Sequence, residues 1–303
     1  MEIVAYEPAL AEGVTEGLNR VTAGLPHGYP RRPDHVAAEL EGRASDRERR
    51  SALRDDHAWV ALDGGEVVGF VHGAVKDPCE EAGPCGALRF LLYEPGRRAA
   101  GQALLDAVEA WFAEHALPEV IAFHQNHVPS YYHLPHSYLS DRLNHVHALL
   151  EYNGYARCAG EVYYDWPDFE VPETGPPPVA AELQCEVQER RAERPGFALF
   201  AFQGETRIAQ CWFVSCGETA PGTEAEDWCL TTWLHIETAR QGRRLGMYML
   251  YRALREMRGL GFRHAAISTS LVNYRAQLFY ANCGYRTSDW TYGLTKSLGQ
   301  ARS

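Results

Sequence analysis

One pattern constrains this chain more than any other: strand, glycine- and arginine-containing turn, helix, strand and Gly-Tyr-terminated helix, written twice. In the later copy Leu234-His235-Ile236 is apolar at alternate positions, as a half-buried strand requires. Gln241-Gly242-Arg243-Arg244-Leu245-Gly246 then turns into Leu245, Met249, Leu250, Ala253, Leu254 and Met257, apolar at helical spacing. A strand from His264 to Thr269 leads to Asn273 through Tyr285, where Asn273 and Tyr280 share one helix face and Gly284 supplies the left-handed residue of a helix end. In the earlier copy the strand Leu88 to Tyr93 precedes Arg98-x-x-Gly101-x-Ala103 and a stripe of Leu104, Leu105, Val108, Trp111 and Phe112. The strand Glu119 to Phe123 and the segment Ala148 to Tyr155 complete the repeat. A strand entering a helix through such a turn leaves backbone N–H groups converging on one spot, where the helix dipole favours negative charge. That geometry suits a pyrophosphate.

The remaining sequence fits two α/β domains. Ile3 to Tyr6 reads as a first strand, and Pro8 to about Asp56 as broken helix, with Ala37 to Leu40 and Arg47 to Leu53 as separate pieces. Ala58 to Leu62 and Val67 to Gly73 flank Asp63-Gly64-Gly65-Glu66, a hairpin signal. Pro167, Pro172, Pro176, Pro177 and Pro178 mark 166–179 as a stiff linker between domains at 1–165 and 180–303. Beyond it come strands at Leu183 to Val187, Phe197 to Phe202 and Ile208 to Val214, then an acidic loop from Glu218 to Asp227.

Strand, Gln-x-x-(Gly)-x-Gly turn, helix, strand, then Asn-x-x-Ala-x-x-Phe-Tyr-x-x-x-Gly-Tyr resembles the acetyl-coenzyme A-binding half of the GNAT superfamily of N-acetyltransferases. The resemblance implies an α/β (α+β) fold of two tandem GNAT-like domains, each a mixed, mostly antiparallel central sheet flanked by helices. It implies acetyl-CoA as co-substrate and the amine of a small molecule as acceptor. By the family's pattern, Gln241, Gly242, Arg243, Arg244, Leu245 and Gly246 hold the pyrophosphate, and Asn273 opens the helix beside it. Backbone N–H groups of Leu234 and Ile236 face the acetyl oxygen, and Tyr280 is either the acid towards sulfur or an aromatic packing residue. Arg98, Gly101 and Ala103 fit the same turn in the first domain, where they hold a second coenzyme A or survive only because the turn stabilises the fold. Two departures stand out: Arg244 replaces the middle glycine, where it is tolerated, adds a phosphate contact or blocks the site, and Leu230 stands where some members carry a strand glutamate, which favours a water relay or a base from the first domain.

His235, opposing Leu234 and Ile236 on its strand, is the candidate base, with Glu226, Asp227 and Glu237 near it in sequence. The first domain has about fifty residues for the two helices that help wall the family's acceptor site, whereas the second has only Gln188 to Pro195. The second domain keeps Tyr280 where the first has Leu150, so chemistry is assigned to the second; the reverse division of labour and a non-catalytic acyl-CoA sensor are the alternatives. The net charge of −11, from 29 basic and 40 acidic residues, argues against nucleic-acid and anionic-membrane partners. No apolar run spans a membrane and Met1-Glu2-Ile3 opens no signal peptide. Eight scattered cysteines read as reduced cytoplasmic thiols. His124, His127, His133, His136, His145 and His147 match no standard metal spacing; with Tyr131, Tyr132 and Tyr138 they read as a polar insertion or an acceptor wall, and no metal is assigned. The acidic loop reads as a solvated face or an attractor of cations.

Overall fold

A computed structural model gives the fold and describes residues 1–41, 53–77, 83–124, 136–190 and 192–298. The chain divides into two compact units, Met1–Glu161 with Trp290–Ser303, and Val162–Asp289. This partition differs from a cut at 166–179. The proline-rich stretch lies inside the second unit, and the end of the chain returns to the first.

In the first unit, β1 (Glu2–Ala5), β2 (Leu53–Asp63), β3 (Glu66–Lys76), β4 (Cys85–Tyr93) and β5 (Glu119–Ala122) lie side by side in that order. The helices are α1 (Ala11–Thr22), α2 (Pro33–Leu40), α3 (Arg98–Glu114) and α4 (Asn144–Tyr152), with the two-residue β6 (Leu139–Ser140) before α4. β7 (Ala156–Trp166) leaves this unit at Val162. The β2–β3 hairpin turns on Gly64 and Gly65, with φ of 63° and 88°, as the Asp-Gly-Gly-Glu signal requires. The expected helical piece ending at Leu53 is corrected here: Leu53 opens β2, and 42–52 lie outside the described residues. β4 and β5 are parallel, joined through α3, whose Leu104, Leu105, Val108 and Phe112 are fully buried.

A β-bulge puts the β4 residue Arg89 out of the ladder, since His72 pairs with Phe90 and Gly73 with Leu88. Its guanidinium, 3% exposed, meets Glu39 of α2 at 2.7 Å and Asp56 of β2 at 3.1 Å, while His72 Nε2 lies 3.4 Å from Asp56. Burial, and then the Arg89 charge, push the His72 imidazole down to about 4, so it is neutral in the fold. The unfolded chain, with an ordinary histidine near 6.5, takes up that proton between about pH 6.5 and 4. Stability should therefore fall as pH drops through this window, by up to about 3 kcal/mol. Urea unfolding from pH 7.5 to 4.5 checks it: His72→Gln should lose that part of the slope, and identical slopes would contradict the assignment.

The second unit holds β8 (Glu182–Gln188), β9 (Gly196–Gln203), β10 (Thr206–Ser215), β11 (Trp228–Ile236) and β12 (His264–Ser270), in the order β7-β12-β11-β10-β9-β8. Its helices are α5 (Leu245–Gly259) and α6 (Tyr274–Asn282), and β13 (Arg286–Ser297) passes into the first unit at Trp290, pairing there with β5. Met249, Leu250, Ala253, Leu254 and Met257 of α5 are fully buried against Phe197, Leu199, Cys211 and Phe213 of the sheet. Gly284, at φ 103°, ends α6 as expected, and a Cβ there would stand 2.8 Å from the Trp166 ring. In the acidic loop Glu226 is buried, 7% exposed, beneath Gly217 and within 3.4 Å of Ser215 Oγ. Among the described residues no helix is long and apolar enough to cross a membrane.

Candidate functional site

β11 and β12 are paired in parallel from Trp228↔His264 to Thr231↔Ile267, and among the described residues they pair no further, although β11 runs on to Ile236 and β12 to Ser270. The cause lies on the other edge of β11. Trp212 of β10 pairs with Trp233 and Phe213 with Thr231, so Thr232 is an extra residue. A bulge bends and twists its strand, and β11 swings away from β12 to leave a wedge.

Past Ile236 the chain turns through Thr238–Arg240, and the Gln241 side chain donates to Ile236 O at 3.1 Å, tying turn to strand. Gly242 at φ 75° and Arg244 at φ 62° are both left-handed. A left-handed arginine costs of order 1 kcal/mol, a strain that clusters at ligand-holding turns. Arg244 is the residue before α5, and Tyr248 N–H donates to its carbonyl at 3.1 Å. From Gly242 to Met247 the backbone N–H groups find no backbone acceptor among the described residues. They surround the N-terminus of a fifteen-residue helix, so positive potential concentrates there. Arg243, Arg244 and Arg275 form no ion pair among the described residues either.

Behind this mouth lies a cleft of about 530 Å³ between α5 and α6, within the ordinary range for a small-molecule site. Of the residues expected from sequence, Leu234, Ile236, Gln241, Gly242, Arg244, Leu245, Gly246, Asn273 and Tyr280 line it. A Cβ on Gly246 would meet only Ile236 and Phe279, at 3.5 and 3.7 Å, so the cleft reaches the helix backbone. Arg244 forms part of its wall, and the cleft stays open past it. Asn273 caps α6 by accepting from Ala276 N–H at 3.3 Å. Tyr280 is 7% exposed, its ring 5.2 Å from Phe279 and 6.0 Å from Tyr164, at the inner end of the lining.

Arg243 and His235 do not line the cleft. His235 is exposed on the other face of β11, paired with Gln210. Glu226 and Asp227 precede Trp228, at the far end of β11 from the mouth, a separation of roughly 25 Å at strand rise. The acidic loop is therefore no part of the cleft. Met247, Arg275, Ala276, Phe279, Asn282 and Cys283 line it as well, unforeseen from sequence. A signal was present, because Ala276, Phe279 and Cys283 repeat with Tyr280 at helical spacing. Burial pushes the Cys283 thiol up to about 11, which keeps it protonated and a poor nucleophile at neutral pH.

The first unit's matching cleft is built differently. Tyr93, the last residue of β4, lays its ring on Gly101, where a Cβ would stand 2.5 Å from the ring carbons. Its hydroxyl donates to His145 O at 2.7 Å, and His145 Nε2 lies 3.0 Å from Tyr93 O. Ala100 and Gly101 N–H already donate to Arg97 O, at 2.9 and 3.2 Å, and the Arg98 guanidinium covers the Tyr152 ring at 4.9 Å. The remaining hollow of about 360 Å³ is lined by Arg98 but not by Gly101 or Ala103.

In the histidine-rich insertion, 125–135 lie outside the described residues, including His127, Tyr131, Tyr132 and His133. His147 is buried against Ser140 O at 3.1 Å and His124 packs edge-on to Tyr138. Among the described residues no group of three His, Cys, Asp or Glu could hold a metal ion.

A sheet split over a helix N-terminus with uncommitted amides, in a chain that writes the unit twice, defines a tandem α/β protein with an anion-holding cleft. The sequence pattern of the acetyltransferase (GNAT) family matches residues 27–132 and 161–285. The chain belongs to that family. Its fold is similar to a tandem GNAT protein from the clavulanic acid biosynthesis pathway, with TM-score 0.67 and 16% identity over 99% of both chains. It is similar too to a GCN5-related N-acetyltransferase from Sphaerobacter thermophilus, with TM-score 0.61 and 13% identity over 99% of this chain and 96% of the other. A third likeness, TM-score 0.64 at 15% identity, is to the GCN5-related glucosamine N-acetyltransferase region of a fungal multi-domain GH3 β-N-acetylglucosaminidase, covering 97% of this chain and 38% of that one. At these identities the likeness is one of fold. No curated protein matches the sequence.

Proposed function

We propose that this protein transfers an acetyl group from acetyl-CoA to the amine of a small-molecule acceptor, by direct attack on the thioester, and that the second unit does so. The observation that carries this reading is the joining, in one cleft, of the uncommitted amides from Gly242 to Met247 with the Tyr280 phenol. The diphosphate would sit at the mouth of α5 on those amides, with Arg243 and Arg244 adding charge-assisted contacts. Along the wedge, backbone N–H groups of Leu234 and Ile236 would hold the acetyl oxygen where charge develops. As the new C–N bond forms and the C–S bond breaks, Tyr280 Oη gives its proton to the departing sulfur and His235, from the opposite face of β11, takes one from the amine. Cys283, held protonated, supports a one-step transfer over a route through an acyl-cysteine.

The first unit lacks these provisions, because Tyr93 fills its cleft over Gly101. One acetyl-CoA should therefore bind per chain. Calorimetry reads that stoichiometry, and release of free thiol with an amine panel reads the chemistry. Binding without thiol release on any amine would refute the transferase reading, and two equal sites would refute the assignment to the second unit.

A further inference from the structure

The second unit presents an aromatic face that the donor cleft does not use. Register places Glu186 of β8 opposite Ala198, Ala198 opposite Trp212 and Trp212 opposite Trp233, a row of four side chains crossing four strands on one face. The neighbouring row is Gln184, Phe200, Gln210 and His235. Phe200 packs edge-on to Trp212 at 6.1 Å, which confirms that the two rows share a face. Trp233 is 54% exposed and Trp212 37%, although their strands are paired and their neighbours Cys211 and Leu199 are wholly buried on the α5 side. Between β8 and β9 no helix intervenes among the described residues, and although Ala198 and Phe200 in the middle of the face are buried, the two indoles beside them are open to water. Two indoles left in water side by side are unusual, since each offers a large apolar area, and such patches mark binding surfaces.

Position says what they bind. Trp233 stands between the bulge residue Thr232 and Leu234, at the level where β11 leaves β12. Alternation along the strand gives Leu234 and Ile236 to the donor cleft and Trp233 and His235 to the other face. With the donor along one side of the wedge, an acceptor reaches it across the Trp233 side. On that face Glu182 and Glu186 are matched by Arg190, whose Nε lies 3.4 Å from the place of a Cβ on Gly196, and by Arg207, whose guanidinium lies over Phe200 at 5.8 Å. The indoles themselves, not a net charge, favour a cation there: an ammonium over indole gains about 0.5–2 kcal/mol.

We infer that Trp233 and Trp212 form the floor of the acceptor site and select an amine carried on a flat aromatic body, an arylalkylamine; this rests on the transferase reading above. The flat ring stacks on the indoles, and the amine projects past Trp233 to the wedge beside His235. Both tryptophans are at the surface, so their truncation leaves the fold intact.

The test compares tryptamine with n-hexylamine, which has an ammonium and an apolar tail but no ring. Binding to the full chain is read by saturation-transfer NMR in the presence of coenzyme A, and acetyl-CoA affinity separately by calorimetry. Tryptamine should bind at least tenfold tighter than hexylamine, Trp233→Ala should bring the two within about twofold, and Trp233→Phe should restore part of the preference. Acetyl-CoA affinity should be the same in all three proteins. Equal affinity for the two amines in the native chain, no detectable binding of either, or a preference that survives Trp233→Ala would each overturn the inference. Should acetyl-CoA bind normally in that event, the acceptor assignment alone falls; should acetyl-CoA also fail to bind, the donor reading falls with it.

Discussion

Gly246→Trp is expected to weaken acetyl-CoA binding more than a hundredfold while the protein stays folded. A Cβ at this position meets nothing closer than 3.5 Å, so a side chain can leave the helix without clash, but it leaves into the cleft where the donor has to lie. Gly246→Ala, adding one methyl in ordinary contact, should raise stability by up to about 1 kcal/mol through helix propensity and change affinity far less. The glycine at the first unit's turn should behave in the opposite way. Any side chain at Gly101 runs into the Tyr93 ring at 2.5 Å; overpacking of this kind typically costs about 1–3 kcal/mol. Gly101→Ala should lower the melting temperature and leave the acetyl-CoA Kd unchanged. Calorimetric titration and thermal unfolding of the three variants check the whole pattern, and loss of affinity at Gly101 with none at Gly246 would reverse the roles of the units.

The second large effect is expected at Tyr280. Tyr280→Phe keeps the ring against Phe279, Tyr164 and Tyr285 and removes only the hydroxyl. If that hydroxyl protonates the leaving sulfur, kcat should fall on the order of 10²-fold or more, with the acetyl-CoA Kd within about twofold of native. Stability should change by only about 1 kcal/mol, the worth of one hydrogen bond. An activated aryl thioester, whose thiolate leaves without a proton, separates this role from simple packing. The defect should shrink with such a donor, whereas a defect of equal size with both donors, or a kcat within threefold of native, would remove Tyr280 from the chemistry.

Much of the fold is legible in the sequence because its signals are local. The Asp-Gly-Gly-Glu turn before the apolar run Val67 to Gly73, helical spacing from Leu245 to Met257 and the left-handed need at Gly284 each depend on residues a few positions apart, and each element forms where those signals place it. The mouth of α5 belongs to this group, since a strand, a turn and a helix start are contiguous in sequence. The repeat made the two-unit organisation readable, whereas the assignment of β7 and β13 to units depends on which strands come together, not on the proline run between them.

By itself, then, the chain's sequence determined the repeated strand-turn-helix, the glycines at its corners and the set of groups that can meet a diphosphate. Tertiary structure decided which copy has room for one. Tyr93 and Ile236 are both apolar strand ends before a turn, and only their packing, one on Gly101 and the other 3.5 Å from the place of a Cβ on Gly246, closes the first cleft and opens the second. It also decided that His235 faces away from that cleft, that Glu226 is buried in its loop and that Trp212 meets Trp233. The reason is the same in each case: a bulge at Thr232 and the register of neighbouring strands join residues distant in sequence, and no periodicity along one strand encodes its partner.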